Sequence, residues 1–213
     1  MLRLHAFGGL HLTQDGVRVV GAAAQRKRLA VLVVLAAHRR TGISREKIAA
    51  LFWPESGRPR SRNALYQAVA AIRRDLGNDV IFAGSAGDLT LNVERVASDV
   101  ADFRDAMAAR DPETAVTAYD GPFLDGVFLR DSDEFERWAD EMRRACTTDY
   151  CGALRHLAKR DAAAGDHAAA TRWLRRLAAT DAMSASVALQ LMGSLDASGE
   201  RETRRRSTEM TRV

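Results

Sequence analysis

Apolar and polar residues alternate at the start of the chain, and alternation is the period of a half-buried β-strand. The apolar positions are Leu2, Leu4, Ala6, Leu10 and Leu12, with a Gly-Gly pair between the two groups. The spacing predicts two short strands joined by a tight turn. A second hairpin signal, Asp-Gly at 15–16, leads into a third short strand at 17–20.

The period changes to that of helices after residue 24. Apolar positions three and four apart predict a first helix over 25–38 and a second helix that begins at its N-cap residue Ser44. Prolines and a glycine between residues 54 and 59 impose a loop, and a third helix follows from position 59 or 61 to Leu76. Residues 80–91 then predict a final hairpin. Strands, three helices and a hairpin, in that order, favour a winged helix-turn-helix over residues 1–98.

The strand pattern disappears after residue 98, and helices are predicted at 99–109, 112–119, 132–160, 166–180 and 183–198. Breaks at Gly165 and Gly199 are 34 residues apart, the length of a helix pair in tetratricopeptide repeats. The predicted fold class is therefore mainly α with a small β component. The second predicted domain, 99–213, is all-helical and tetratricopeptide-like.

Charge divides the chain at the same place. Residues 1–98 hold 15 Lys and Arg against 7 Asp and Glu, whereas residues 99–200 hold 12 against 19. Segment 26–74 alone carries 12 basic and 2 acidic residues, a net charge of +10. A basic half beside an acidic half indicates that the first half meets a polyanion and the second does not.

The third predicted helix has one apolar and one polar face at 100° per residue. Its buried stripe is predicted to comprise Leu65, Ala68, Val69, Ile72 and Leu76. On the opposite face Asn63 and Gln67 suit adenine edges, and Arg60 is a third candidate for base contacts. We predict contacts with the DNA backbone at Arg26, Lys27, Arg28, Arg45, Lys47, Arg62, Tyr66, Arg73 and Arg74. A solvated polar face without a nucleic-acid role is the alternative interpretation.

Catalytic patterns do not emerge from the sequence. The five His are scattered, and the chain contains neither a Walker-type phosphate loop nor a nucleophile elbow. Cys146 and Cys151 do not have the spacing of a metal hook and fit a reducing cytoplasm. We expect no enzymatic activity, cofactor or metal, no membrane partner, and a bacterial cytoplasmic, nucleoid-associated location.

Several motifs, in order, resemble those of the Streptomyces antibiotic regulatory protein family over about residues 2–199. The winged-helix motifs are Arg26-Lys27-Arg28-Leu29, Leu51-Phe52-Trp53-Pro54-Glu55, Asn63-Ala64-Leu65 and Ile72-Arg73-Arg74-Asp75-Leu76-Gly77. Those resembling the bacterial transcriptional activator domain are Tyr119-Asp120-Gly121-Pro122-Phe123-Leu124 and Glu134-Phe135-Glu136-Arg137-Trp138. The resemblance implies an activator that binds direct repeats in double-stranded DNA and contacts RNA polymerase holoenzyme. It also implies a polymerase-facing loop, with Trp53, Glu55, Ser56 and Arg58.

The end of the chain departs from the family pattern. Continuing the 34-residue register places Arg204 where a small residue belongs, and residues 201–213 lack a further Ala- and Leu-rich helix. We therefore expect the second domain to be incomplete at its C-terminus, and whether the chain forms a homodimer stays open. The alternative function is a helical-repeat interaction adaptor whose DNA-binding half is vestigial.

Overall fold

The structure, a computed structural model, describes residues 1–84, 87–180, 189–197 and 199. The helices with assigned bounds are a 3₁₀-helix at Gly21–Ala24 and the α-helices α1 (Arg26–Ala37), α2 (Arg45–Phe52), α3 (Arg58–Leu76), α4 (Asp99–Ala109), α5 (Pro112–Ala118), α6 (Asp133–Ala163) and α7 (His167–Thr180). The strands are β1 (Leu2–His5), β2 (His11–Gln14), β3 (Val17–Arg18), β4 (Ile43–Ser44), β5 (Ile81–Ala83), β6 (Asp88–Leu91) and β7 (Val96–Ser98). Residues 189–197 are also helical. The prediction of a mainly helical fold with a small β component is confirmed.

The strands form two small sheets. The first has the order β3-β2-β1-β7, in which β1 is antiparallel to β2 and parallel to β7. The second has the order β4-β6-β5, all antiparallel, and contains the predicted hairpin of β5 and β6. Strands β4 and β7 were not predicted from the sequence, because strands of two and three residues are too short to show a period.

Helix boundaries follow the predicted caps closely. Ser44 caps α2 through its side chain, which accepts from the backbone N–H of Lys47 at 3.3 Å. Gly165 ends the turn between α6 and α7 with φ +80°. Gly199 has helical backbone, and the residues on either side of it lie outside the described part of the chain, so the predicted break there stays a prediction. The helices of the second half pack in chain order, α4 on α5, α5 on α6 and α6 on α7. Whether they are tetratricopeptide repeats stays a prediction.

A single hydrophobic core continues across the predicted boundary between residues 98 and 99. Phe52 at the end of α2 stacks on Phe135 of α6, with ring centroids 4.9 Å apart. The segment after β1 also pairs with the loop before α6, where the backbone N–H of Leu124 donates to the carbonyl of Ala6 at 2.7 Å. The assignment of residues 1–98 and 99–213 to two domains stays a prediction, and the two halves are packed together along this seam.

The buried carboxylate of Asp99 joins the two halves through hydrogen bonds. It accepts hydrogen bonds from the backbone N–H groups of Ala6 and Phe7, at 2.8–3.0 Å, and from that of Val100. Asp99 is only 5% exposed. Burial raises the pKa of its carboxyl group, and the three backbone hydrogen bonds partly oppose that rise. The first residue of α4 thus fixes the C-terminal end of β1.

Candidate nucleic-acid interface

Helix α3 presents one face to the core and one to solvent. Pro59 lies in its first turn, where a missing N–H costs nothing, and Gly77, with φ +118°, follows its last residue. Leu65, Val69 and Ile72 are buried as predicted, whereas Ala68 and Leu76 are half-buried. The apolar stripe therefore anchors the helix in the orientation that the sequence predicted.

The three predicted base contacts lie on the outward face of α3. Arg60, Asn63 and Gln67 are all exposed, and so are Ala70 and Arg74 further along the same face. Within the described part of the chain, the side chains of Arg60, Asn63 and Gln67 form no hydrogen bond or ion pair. Their donors and acceptors are available to a ligand. From residue 60 to residue 74 this face extends about 21 Å along the helix axis.

Three of the predicted backbone contacts have partners inside the fold. The Lys27 ammonium donates to the carbonyl of Phe52 at 3.1 Å and lies 5.3 Å from the centre of the Trp53 ring. Burial lowers the pKa of this ammonium. Arg28 pairs with the Asp75 carboxylate at 2.9 Å. These cations therefore stabilise the packing of α1 against its neighbours, a role that the sequence analysis missed.

Arg73 also has a structural partner, because its guanidinium donates to the carbonyl of Ile81 at 2.7 Å and ties α3 to β5. The other predicted backbone contacts are more accessible. Arg26, Lys47, Arg62, Tyr66 and Arg74 are exposed, and Arg45 is half-buried. Tyr66 exposes 64% of its surface beside the outward face of α3, and Arg74 pairs with Asp75 at 3.0 Å.

Positive charge lies at the N-terminal ends of α1 and α3. Neither helix has an acidic residue in its first turn, while Arg26 begins α1 and Arg58 begins α3. Unpaired N–H groups and the helix dipole add to these side-chain charges, and together they favour anions. The hairpin of β5 and β6 carries an exposed Phe82, and Ser85 lies outside the described residues.

The connection between α2 and α3 is shorter than predicted. The sequence indicated a third helix from position 59 or 61, but α3 already begins at Arg58, since a proline is favourable in the first helical turn. Of the predicted polymerase-facing residues, Glu55 and Arg58 are exposed, and Trp53 and Ser56 are half-buried.

Chemistry elsewhere in the described residues is sparse. No group of three or more His, Cys, Asp or Glu residues in that part of the chain could hold a metal ion. Cys146 is buried, and burial raises the pKa of its thiol to about 11. A thiol with that pKa is protonated at neutral pH and is a poor nucleophile. None of the helices within the described ranges is long and apolar enough to cross a lipid bilayer.

The family model of the bacterial transcriptional activator domain matches residues 88–203. The chain belongs to this family. Its matched segment begins at β6 and includes β7, the strand that pairs with β1. Membership in the bacterial transcriptional activator domain family makes the chain a transcription regulator in broad class, and it confirms that part of the resemblance.

A solved structure extends the comparison to most of the chain. The structure titled Mycobacterium tuberculosis EmbR in complex with low affinity phosphopeptide matches with a TM-score of 0.62 and 22% identity. The match covers 95% of this chain and 56% of the EmbR chain. The likeness establishes a shared fold. No curated protein sequence matches the chain.

Proposed function

We propose that this member of the bacterial transcriptional activator domain family is a sequence-specific DNA-binding activator. In this proposal residues 1–98 form a winged helix-turn-helix, with α3 as the recognition helix. The outward face of α3 supports this proposal most directly, because Arg60, Asn63 and Gln67 are exposed there, opposite a buried apolar stripe.

Base recognition follows from the chemistry of that face. Asn63 and Gln67 each offer a donor and an acceptor, the pair that adenine presents in the major groove, and Arg60 can donate twice to guanine. The residues nearest the N-terminus of a recognition helix commonly reach the bases. The small exposed Ala70 allows the helix to approach the groove closely.

Backbone binding is assigned first to the exposed cations. Arg26, Lys47 and Arg62 can reach phosphates without giving up a partner among the described residues, and Arg74 would exchange its pair with Asp75. Lys27, Arg28 and Arg73 would have to leave contacts within the fold. Tyr66 and Arg45 complete the set. The acidic second half, proposed as a tetratricopeptide-like domain, repels phosphate and would lie away from DNA.

Activation requires a contact with the transcription machinery. The segment with Trp53, Glu55, Ser56 and Arg58 is the proposed surface for RNA polymerase holoenzyme, in line with the family resemblance. It lies beside the first turn of α3, so a protein bound there would sit next to DNA held by that helix. Direct repeats in the DNA would place two copies of the chain side by side.

Selection from a fragmented genomic DNA pool, followed by salt titration on the enriched site, tests the proposal. Neutralising about six phosphates predicts that log K falls against log salt with a slope of about −5. Enrichment of one sequence motif with this steep slope is the expected result. No enrichment, or binding that is insensitive to salt, would instead favour the helical-repeat adaptor with a vestigial DNA-binding half.

A further inference from the structure

A cleft of about 810 Å³ lies between the two halves of the molecule. One wall is α2 with the loop that follows it and the first turn of α3, and the other wall is the start of α6. Small-molecule sites in proteins typically have volumes of 300–1,000 Å³ and favour the boundaries between domains. The volume of this cleft falls within that range, and the cleft lies at such a boundary.

Two indole rings line the cleft from opposite halves. Trp53 follows α2, and Trp138 belongs to α6. Both are half-buried, and each is held in place: Trp53 packs on Phe52 with centroids 5.8 Å apart, and Trp138 packs on Phe135 at 5.6 Å. Rigid aromatic surfaces that the fold already orders can bind a flat apolar group at little cost in conformational entropy.

His38 adds a polar group beside Trp138. Its ring lies 6.3 Å from the Trp138 ring at 26°, and its Nδ1 is 2.9 Å from the carbonyl of Val34. Because a carbonyl only accepts, Nδ1 must be the donor in this hydrogen bond. The Nε2 of a neutral His38 ring is then an acceptor.

Charged residues in the lining have a net positive balance. Lys47, Arg58 and Arg62 contribute three cations, against Glu46 and Glu134. Glu134 already pairs with Arg137, which does not line the cleft. In the described part of the chain none of the three cations forms a side-chain hydrogen bond or ion pair. An anionic group at the mouth of the cleft would therefore find donors without displacing an existing partner.

The geometry points to a binding site in this cleft for a small planar aromatic ligand that carries an anionic group. The rings of Trp53 and Trp138 hold the flat apolar part, and Lys47, Arg58 and Arg62 hold the anion. Two of those cations belong to the first turns of α3, so the bound ligand touches that helix directly. Lys47 and Arg62 are also among the cations proposed for DNA phosphates, so the ligand anion and DNA would compete for them; the cleft itself does not require DNA binding.

Titration of the whole folded chain with anilinonaphthalene sulfonate, a planar aromatic anion, tests the proposal. We expect one probe per chain and quenching of tryptophan emission as the probe binds. Trp138→Phe reduces that quenching, whereas Trp173→Phe, at a tryptophan of α7 outside the cleft, preserves it. Ala50→Phe places a ring in the cleft from an exposed position of α2 and weakens binding at least tenfold.

Two controls separate this cleft from other apolar surfaces. Ala145→Phe adds the same ring at an exposed position of α6 outside the cleft and leaves binding unchanged. Phenylnaphthylamine, which has the same rings without the sulfonate, binds several-fold more weakly. Arg58→Ala reduces this difference in affinity between the two probes. Equal binding by Ala50→Phe and the unmodified chain would overturn the site. Equal binding of the two probes would overturn the anionic class of the ligand.

Discussion

Replacing Asp99 with Asn is expected to loosen the link between the two halves. One carboxylate oxygen of Asp99 accepts from Ala6 and Val100, and the other accepts from Ala6 and Phe7. An amide keeps only one acceptor oxygen, and its NH₂ group then faces a backbone N–H that has lost its partner. An unsatisfied buried donor costs about 1–3 kcal/mol. We therefore expect Asp99→Asn to lower the free energy of unfolding by about 2 kcal/mol.

Thermal and urea unfolding measure this loss. For a chain of this size about 2 kcal/mol corresponds to a decrease in Tm of roughly 4–8 °C. The matched control is Asp102→Asn on the same helix. Its carboxylate is about 40% exposed and pairs with Arg3 at 3.1 Å, so we expect the control to cost less than about 1 kcal/mol. A stable Asp99→Asn variant, or equal losses in both variants, would refute the assigned role of Asp99.

Two further predictions concern stability. The rings of His5 and His11 are stacked with centroids 4.3 Å apart, and burial is the main cause that lowers the pKa of each. The stability that these neutral rings contribute is present above about pH 6.5 and is lost as pH falls through their pKa values in the folded chain. His11→Gln should flatten the dependence of Tm on pH in this range, and an unchanged profile would exclude the pair as its source. Phe135→Ala should lower the free energy of unfolding by about 3–5 kcal/mol. Hydrogen exchange should then show reduced protection in both halves, because they unfold in one transition. Loss of protection confined to residues 99–180 would show that the halves unfold independently.

The elements that could be predicted from the sequence are those long enough to show a period of apolar residues. The apolar stripe of α3 is interrupted by polar residues in a clear helical pattern, so its orientation, including an outward Asn63 and Gln67, could be worked out before the structure. The strands β4 and β7 could not, because their two and three residues show no period. Strand β7 is also defined by its partner, since it pairs in parallel with β1 from almost the other end of the first half.

Long-range partners explain what the sequence could not show at the candidate interface. Lys27 and Arg28 read as free cations at the start of a helix, but their acceptors lie 25 and 47 residues away. Asp99 reads as an ordinary acid in a first helical turn, and its partner at Ala6 is 93 residues distant. The sequence shows which residues are charged, but only the fold shows which of them have partners within the molecule.

The most direct test of the central claim is the ratio of affinities for the selected DNA site and a scrambled site, measured at fixed salt. Asn63→Ala and Gln67→Ala should each reduce discrimination by about 1–3 kcal/mol, because each variant loses contacts with a base edge. Arg74→Ala should instead weaken both DNAs similarly, since a phosphate contact carries no sequence information. If the Asn63 and Gln67 variants keep full discrimination, α3 does not read the bases and the account of this interface is contradicted.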